Sequence, residues 1–213
     1  MKFYLCRGGD KYAPMIAEQS KWHYGTRNDY TAYETPKMVD LNWKNYDFEK
    51  YVQTLKRYRP ELAFVADFEG DRVKMLDQFN AIKTLCDNVA ICLKCDDIGA
   101  IPEQAIIGIS VPTTYSGYIP PLETLKGRRI HLLGGSPLNQ AVLGQRLKGI
   151  GATVESLDAN YHIRKAWFGQ FFERGTWKQA RNETTVYQLA VMSGINIKQY
   201  ITNALNFSQL RLL

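Results

Sequence analysis

No stretch of this sequence approaches the ~20 consecutive apolar residues that a bilayer-spanning helix needs, so no membrane association is expected. The opening residues, Met1 to Cys6, run directly into Arg7 and Asp10. They lack the apolar core and small-residue cleavage site of a secretory signal, which makes the cytoplasm the expected location. Cysteines are few: Cys6, Cys86, Cys92 and Cys95. A domain of 213 residues in a reducing compartment needs no bridges, so these read as thiols. Cys92 and Cys95 form one C-x-x-C pair, but a structural zinc site wants four ligands and no second Cys or His pair accompanies it. The three histidines, His23, His131 and His162, give no pair at helical spacing, and no metal is expected. A P-loop, a G-x-G-x-x-G turn and a G-x-S-x-G elbow are all missing. Their absence removes the commonest phosphate-cradle, dinucleotide and serine-hydrolase readings, and no cofactor is expected. Low-complexity segments and internal repeats are missing too.

What is present is an ordinary globular composition, 45% hydrophobic and 23% charged, with a formal net charge of +6. That excess favours polyanionic partners without proving one. The cations are dispersed, with local clusters at Lys56-Arg57-Arg59, Lys126-Arg128-Arg129 and Arg164-Lys165 that also read as a solvated surface.

Short apolar runs alternate with amphipathic stretches. Strands are expected at Lys2–Cys6, Lys37–Leu41, Leu62–Ala66, Val89–Leu93, Ala105–Ile109, Arg129–Leu133 and Thr153–Leu157. Continuous apolar strands imply cover on both faces, as in a parallel sheet. Helices are expected from Tyr46 to Tyr58, with Phe48, Tyr51, Val52 and Leu55 on one face, and from Asp71 to Cys86, with Val73, Leu76, Phe79, Ile82 and Leu85 together. Ser136-Pro137 opens a third as N-cap and N1, with Leu138, Val142 and Leu147 apolar, ending near Gly149. Two more are expected near the carboxyl terminus, Asn182–Met192 closed by Gly194 and Ile197–Leu212. The pattern predicts one α/β domain over residues 1–213, with 180–213 a helical cap. Its architecture is a reduced or irregular TIM-like (β/α) barrel with C-terminal helices, or else an open doubly wound sheet.

Either architecture forms its site beyond the carboxyl ends of the strands. That rule selects Asp40 and Asn42, Asp67 and Glu69, Ser110 in the run to Gly117, the Gly134-Gly135-Ser136 turn, and Asp158, Asn160 and Tyr161. Each has a structural alternative. Asp67 suits a helix cap and Asp158 an Asx-turn. The glycine turn suits an anion cradle or simply a tight turn. His131, alternating with leucines, suits a core histidine. Carboxylate chemistry is what the inventory leaves: one ionised Asp attacks an anomeric carbon while a second carboxyl group carries the leaving group's proton.

At these residues the sequence resembles the tRNA-guanine transglycosylase superfamily, nearest the phage and bacterial branch that inserts 7-deazaguanine bases into DNA. Arg129-Ile130-His131-Leu132-Leu133-Gly134-Gly135-Ser136-Pro137 looks like the superfamily's H-L-[LM]-G strand and turn. Phe64-Val65-Ala66-Asp67 resembles the strand ending in the base-reading Asp, and Asp158 lies where the nucleophilic Asp follows that turn. The segments Val39–Asp47 and Gly108–Thr113 also resemble short phage-type members. The likeness is discontinuous and runs from about Leu41 to Phe172. The superfamily's zinc cluster near the carboxyl terminus has no counterpart, since no cysteine follows Cys95.

The resemblance implies a base-exchanging glycosyltransferase (pentosyltransferase), in the host cytoplasm if phage-encoded. It would replace guanine in DNA, with tRNA the second candidate, by a free 7-deazaguanine such as the 7-cyano form. Asp158 would be the nucleophile and Asp10 or Asp29 the proton carrier. Asp67, Ser110, Val111, His131, Gly134, Gly135 and Asn160 would hold the substrate, and Arg128, Arg129, Arg164 and Lys165 the phosphates. Tyr115, Tyr118, Tyr161 and Trp167 are stacking candidates. Two other readings stay open: a non-catalytic nucleic-acid-binding module on a degenerate barrel, and a nucleoside or nucleotide N-glycosidase.

Overall fold

The computed structural model describes residues 1–113, 118–181 and 183–207. Eight parallel strands close into a barrel in chain order: β1 (Lys2–Cys6), β2 (His23–Arg27), β3 (Met38–Asp40), β4 (Leu62–Phe68), β5 (Asn88–Leu93), β6 (Ile106–Ser110), β7 (Arg129–Leu133) and β8 (Thr153–Asp158). Pairing of Phe3 with Leu157 and of Tyr4 with Asp158 closes the ring, which removes the open-sheet alternative. Six helices accompany it: α1 (Ala13–Ser20), α2 (Phe48–Tyr58), α3 (Arg72–Ile82), α4 (Pro137–Gly149), α5 (Tyr161–Trp167) and α6 (Val186–Phe207), with an antiparallel hairpin, β9 (Gln170–Glu173) and β10 (Thr176–Gln179), before the last. Among the described residues no α-helix follows β2, β5 or β6. The barrel is therefore reduced in helices and complete in strands.

The barrel strand that the apolar pattern does not reveal is β2, and the hairpin β9–β10 is not revealed either. The core stretch of β2 is Tyr24-Gly25-Thr26, buried but carrying no aliphatic side chain. The seven expected strands are all present, most within a residue or two of their expected ends.

Two helices are rotated from their expected faces, for one physical reason. In α3 the buried residues are Met75, Gln78, Phe79 and Ile82, while Val73 is 72% exposed and Leu76 is exposed as well. In α4 the buried set includes Gln140, Ala141, Leu143 and Leu147, and Leu138 and Val142 face solvent. Each helix turns a glutamine inward to serve the backbone at a strand end. Gln78 Oε1 accepts from the Ala66 amide at 3.3 Å. Gln140 Nε2 donates to Gly134 O at 2.7 Å and Asp158 O at 2.9 Å. A buried backbone group without a partner costs about 1–3 kcal/mol, enough to outweigh an exposed valine.

The two expected C-terminal helices are one. Gly194 does not stop α6; it lets the helix lie against α1, since a Cβ there would stand 2.7 Å from Ser20 Cβ. The Trp22 indole donates to Gly194 O at 3.0 Å across the same contact. Asn182, Leu212 and the Thr114–Gly117 segment, with the stacking candidate Tyr115, lie outside the described residues.

One seam in the barrel matters for the site. β3 and β4 share only two register pairs, Met38 with Leu62 and Val39 with Ala63. Beyond them the buried Tyr51 hydroxyl donates to Val39 O at 3.0 Å and accepts from Phe64 N at 2.8 Å. A side chain from α2 thus satisfies the ladder where the strands part, and Asp40 sits at the parted end of β3.

Candidate active site at the carboxyl ends of the strands

Because all eight strands are parallel, their carboxyl ends share one mouth. Cys6, Arg27, Asp40, Asp67, Ser110 and Asp158 stand there, with Lys94 just past β5. Asp67 and Asp158 therefore emerge on the same side of the molecule. The buried Cys92 thiol is pushed well up by burial and then by Asp67 and Asp40, with Lys94 opposing and Asp158 adding.

Asp158 ends β8 and is built in from several directions. Its Oδ1 accepts from the Gly134 amide at 3.0 Å and lies 3.4 Å from His131 Nε2. Gly134 and Gly135 both take left-handed backbone angles, φ 59° and 81°, a conformation that glycine adopts at least cost. One amide of the turn between β7 and α4 is thus taken by the protein's own Asp158 side chain. Ser136 caps α4, accepting from Asn139 N at 3.2 Å.

Asp40 is the perturbed group of the mouth. Burial, followed by the negative charge of Asp158, raises its carboxyl pKa to about 7, with Asp67 adding and the Leu41 amide and Arg27 opposing. Like-charged carboxyls sharing a poorly hydrated space separate into one that keeps its proton and one that does not. Asp67 is half-exposed, raised by burial and held back by Lys94, whose ammonium lies 3.8 Å away. The same ammonium donates to Ser110 Oγ at 2.8 Å. The β4–β5 register shifts between Val65 and Phe68, so Asp67 occupies an irregular strand end.

The remaining expected residues divide. Asn160 bridges strands, donating to Cys6 O at 3.0 Å. The Val111 amide is taken by Leu133 O at 3.0 Å and its side chain is buried. Asp10 accepts from Arg7 Nε at 3.2 Å and from Tyr12 N at 3.0 Å, as a turn residue does. Asp29 is held below the usual carboxylate range by its hydrogen bonds from Arg27, and Asn42 Nδ2 also donates to it at 3.1 Å. Both expected carriers are thus paired with an arginine, Asp10 with Arg7 and Asp29 with Arg27. Arg128 and Arg129 start β7 and so lie at the opposite end of the barrel. Arg128 donates to Pro102 O at 2.9 Å, and Arg129 pairs with Glu155 at 2.6 Å and with Asn88 at 2.8 Å. That end holds its own concavity of about 410 Å³, lined by Lys2, Tyr4, Arg129 and Glu155 among others. Arg164 is exposed on α5, and Lys165 donates to Gln170 at 3.0 Å over the Tyr161 ring. Trp167 is exposed, and Tyr118 bonds Asp96.

Lys94, Arg27 and the raised pKa of Asp40 are what sequence reading misses. Lys94 directly follows a continuous apolar strand, so the strand-end rule selects it once attention leaves the neighbouring C-x-x-C pair. Arg27 ends the strand that the pattern hid.

Residues 17–202 match the model of a family of unknown function, DUF6610, and the chain belongs to that family. No curated protein matches the sequence.

Proposed function

We propose that this DUF6610 barrel is a base-exchanging glycosyltransferase that replaces guanine in a nucleic acid, DNA ahead of tRNA, by a free 7-deazaguanine such as the 7-cyano form. The observation that carries the reading is the pair of carboxyl groups at strand ends of one mouth: Asp158 fixed by the Gly134 amide, and Asp40, which feels its charge and has a pKa of about 7. A third carboxyl, Asp67, stands at the same mouth with a lysine beside it.

In the first half-reaction an Asp158 carboxylate oxygen bonds C1′ of the nucleotide as the C1′–N9 bond breaks. The electron pair leaves on guanine, which takes the Asp40 proton. In the second half, N9 of the deazaguanine attacks C1′ and the ester bond to Asp158 breaks. The N9 proton then returns to Asp40. Two displacements retain the configuration at C1′. Asp67 accepts from the N1–H and exocyclic amine of the purine, a pair of donors that a carboxylate matches with its two oxygens. A base inside a duplex must leave the stack first, at a cost of a few kcal/mol.

The test is uptake of labelled guanine, and separately of 7-cyano-7-deazaguanine, into DNA and tRNA. Asp158→Ala is expected to abolish uptake with an unchanged circular dichroism spectrum. Normal exchange by that variant contradicts the reading. Guanine release without uptake of any base would make the protein a glycosidase instead.

A further inference from the structure

The loops after β1, β2 and β3 each carry an exposed aromatic ring with a cation over it. Lys11 lies 5.1 Å from the Tyr12 ring centroid, Arg27 4.5 Å from that of Tyr30, and Lys44 5.2 Å from that of Trp43. The rings are 51%, 46% and 66% exposed. These strands are neighbours in the barrel, so the three rings line one arc of the mouth.

The arc is built as a unit. Tyr30 packs so closely on the first loop that a Cβ on Gly8 would stand 2.4 Å from its Cβ. The buried Asn42 ties the second loop to the third: its amide donates to Asn28 Oδ1 at 2.8 Å and its side chain to Asp29 at 3.1 Å. Its own Oδ1 accepts from Lys44 N at 3.1 Å, an Asx-turn that holds Trp43 outward. Three solvent-facing rings held by a buried asparagine and a glycine contact exceed what packing requires. The adjoining arc carries more carboxyl groups, Asp67 at the end of β4, Glu69 and Asp71 after it, and Asp96 and Asp97 after β5, with Lys94 and Arg72 paired to two of them.

We infer that the loops after β1, β2 and β3 form a binding rim for a single-stranded stretch of nucleic acid, with bases stacking on Tyr12, Tyr30 and Trp43 and phosphates meeting Lys11 and Lys44. Stacking platforms interleaved with cations are how single strands are held without sequence preference. Lys11 and Lys44 make no ion pair among the described residues. The inference rests on the base-exchange reading for what the strand is brought to; the binding itself is measured apart from exchange.

The experiment is fluorescence anisotropy of the full chain with a labelled 16-nucleotide DNA strand of mixed sequence, the same strand in a duplex, and its RNA counterpart. The single strands are expected to bind more tightly than the duplex, and the DNA and RNA arms show which sugar is preferred. Trp43→Ala and Tyr12→Ala each weaken binding on the order of tenfold. Trp43→Phe, which keeps a ring, restores most of it. Lys11→Gln and Lys44→Gln each lower the slope of log affinity against log salt by about 0.7, while Lys83→Gln, at the far end of α3, changes nothing. Wild-type affinity in the ring and lysine variants, or duplex binding as tight as single-strand binding, overturns the rim. Rim-dependent binding with no exchange on any substrate would sink the base-exchange reading and leave the rim standing. Exchange with rim-independent affinity would do the reverse.

Discussion

His131 and Asp158 meet inside the barrel, with His131 Nε2 3.4 Å from Asp158 Oδ1 and the imidazole wholly buried. Its Nδ1 lies 2.8 Å from Ser156 Oγ, and Nε2 lacks the geometry of a hydrogen bond. The rings of Tyr4 and Phe64 pack around it, at 6.3 and 5.3 Å. The Ser156 hydroxyl thus orients the ring whose other nitrogen faces the Asp158 carboxyl group. Ser156→Ala removes that restraint. It is expected to cost about 1–2 kcal/mol of stability in denaturant unfolding and to lower kcat more than it changes KM. Ser156→Thr keeps the hydroxyl and retains most of both.

Asp40 gives the fold a pH signature. Its folded pKa is raised to about 7, against about 4 in an unfolded chain. The native state therefore holds the proton more tightly, so Asp40 favours folding below pH ~4 and loses that contribution as pH rises towards ~7. Asp40→Asn is expected to remove this slope, and to be more stable than the wild type at pH 8 by roughly 1–3 kcal/mol. Denaturant titrations at pH 5 and pH 8 measure it. Base exchange by the wild type should also fall above pH ~7, as Asp40 loses the proton it donates.

Gly194→Ala tests the junction of α1 and α6. Alanine improves helix propensity by about 1 kcal/mol, but its Cβ would meet Ser20 Cβ at 2.7 Å. Overpacking costs about 1–3 kcal/mol, so a lowered Tm is expected. Ser20→Gly added to it should restore the loss.

Arg129→Gln separates structure from nucleic-acid binding. The guanidinium serves Glu155, Asn88 and Gln104 O at the amino-terminal end of the barrel. A stability loss of about 1–3 kcal/mol is expected, with affinity for an oligonucleotide and its salt dependence unchanged. A reduced salt slope would return Arg129 to the binding surface.

Much of the fold was legible because parallel strands covered on both faces are written as apolar runs, as in Leu62–Val65 and Ile106–Ile109. β2 was not, because Gly25 and Thr26 fill its interior with little apolar surface. Helix faces were misread where a buried glutamine, Gln78 or Gln140, served a strand end, a demand invisible to periodicity. Asp67 and Asp158 were legible from the strand-end rule alone. The expected Asp10 and Asp29 each pair with an arginine two or three residues away, which the strand-end rule does not see. Asp40 owes its perturbation first to burial and then to the charge of Asp158, 118 positions along the chain, both of which exist only once the barrel has closed.

The nucleophilic role of Asp158 is tested most directly by intact-mass spectrometry of the protein quenched in acid after mixing with guanine-containing DNA. A mass increase equal to the DNA strand less guanine, mapped by peptide sequencing to residue 158 and lost in Asp158→Asn, is the predicted result. An adduct on a different side chain, or base exchange that proceeds undiminished in Asp158→Asn, contradicts it.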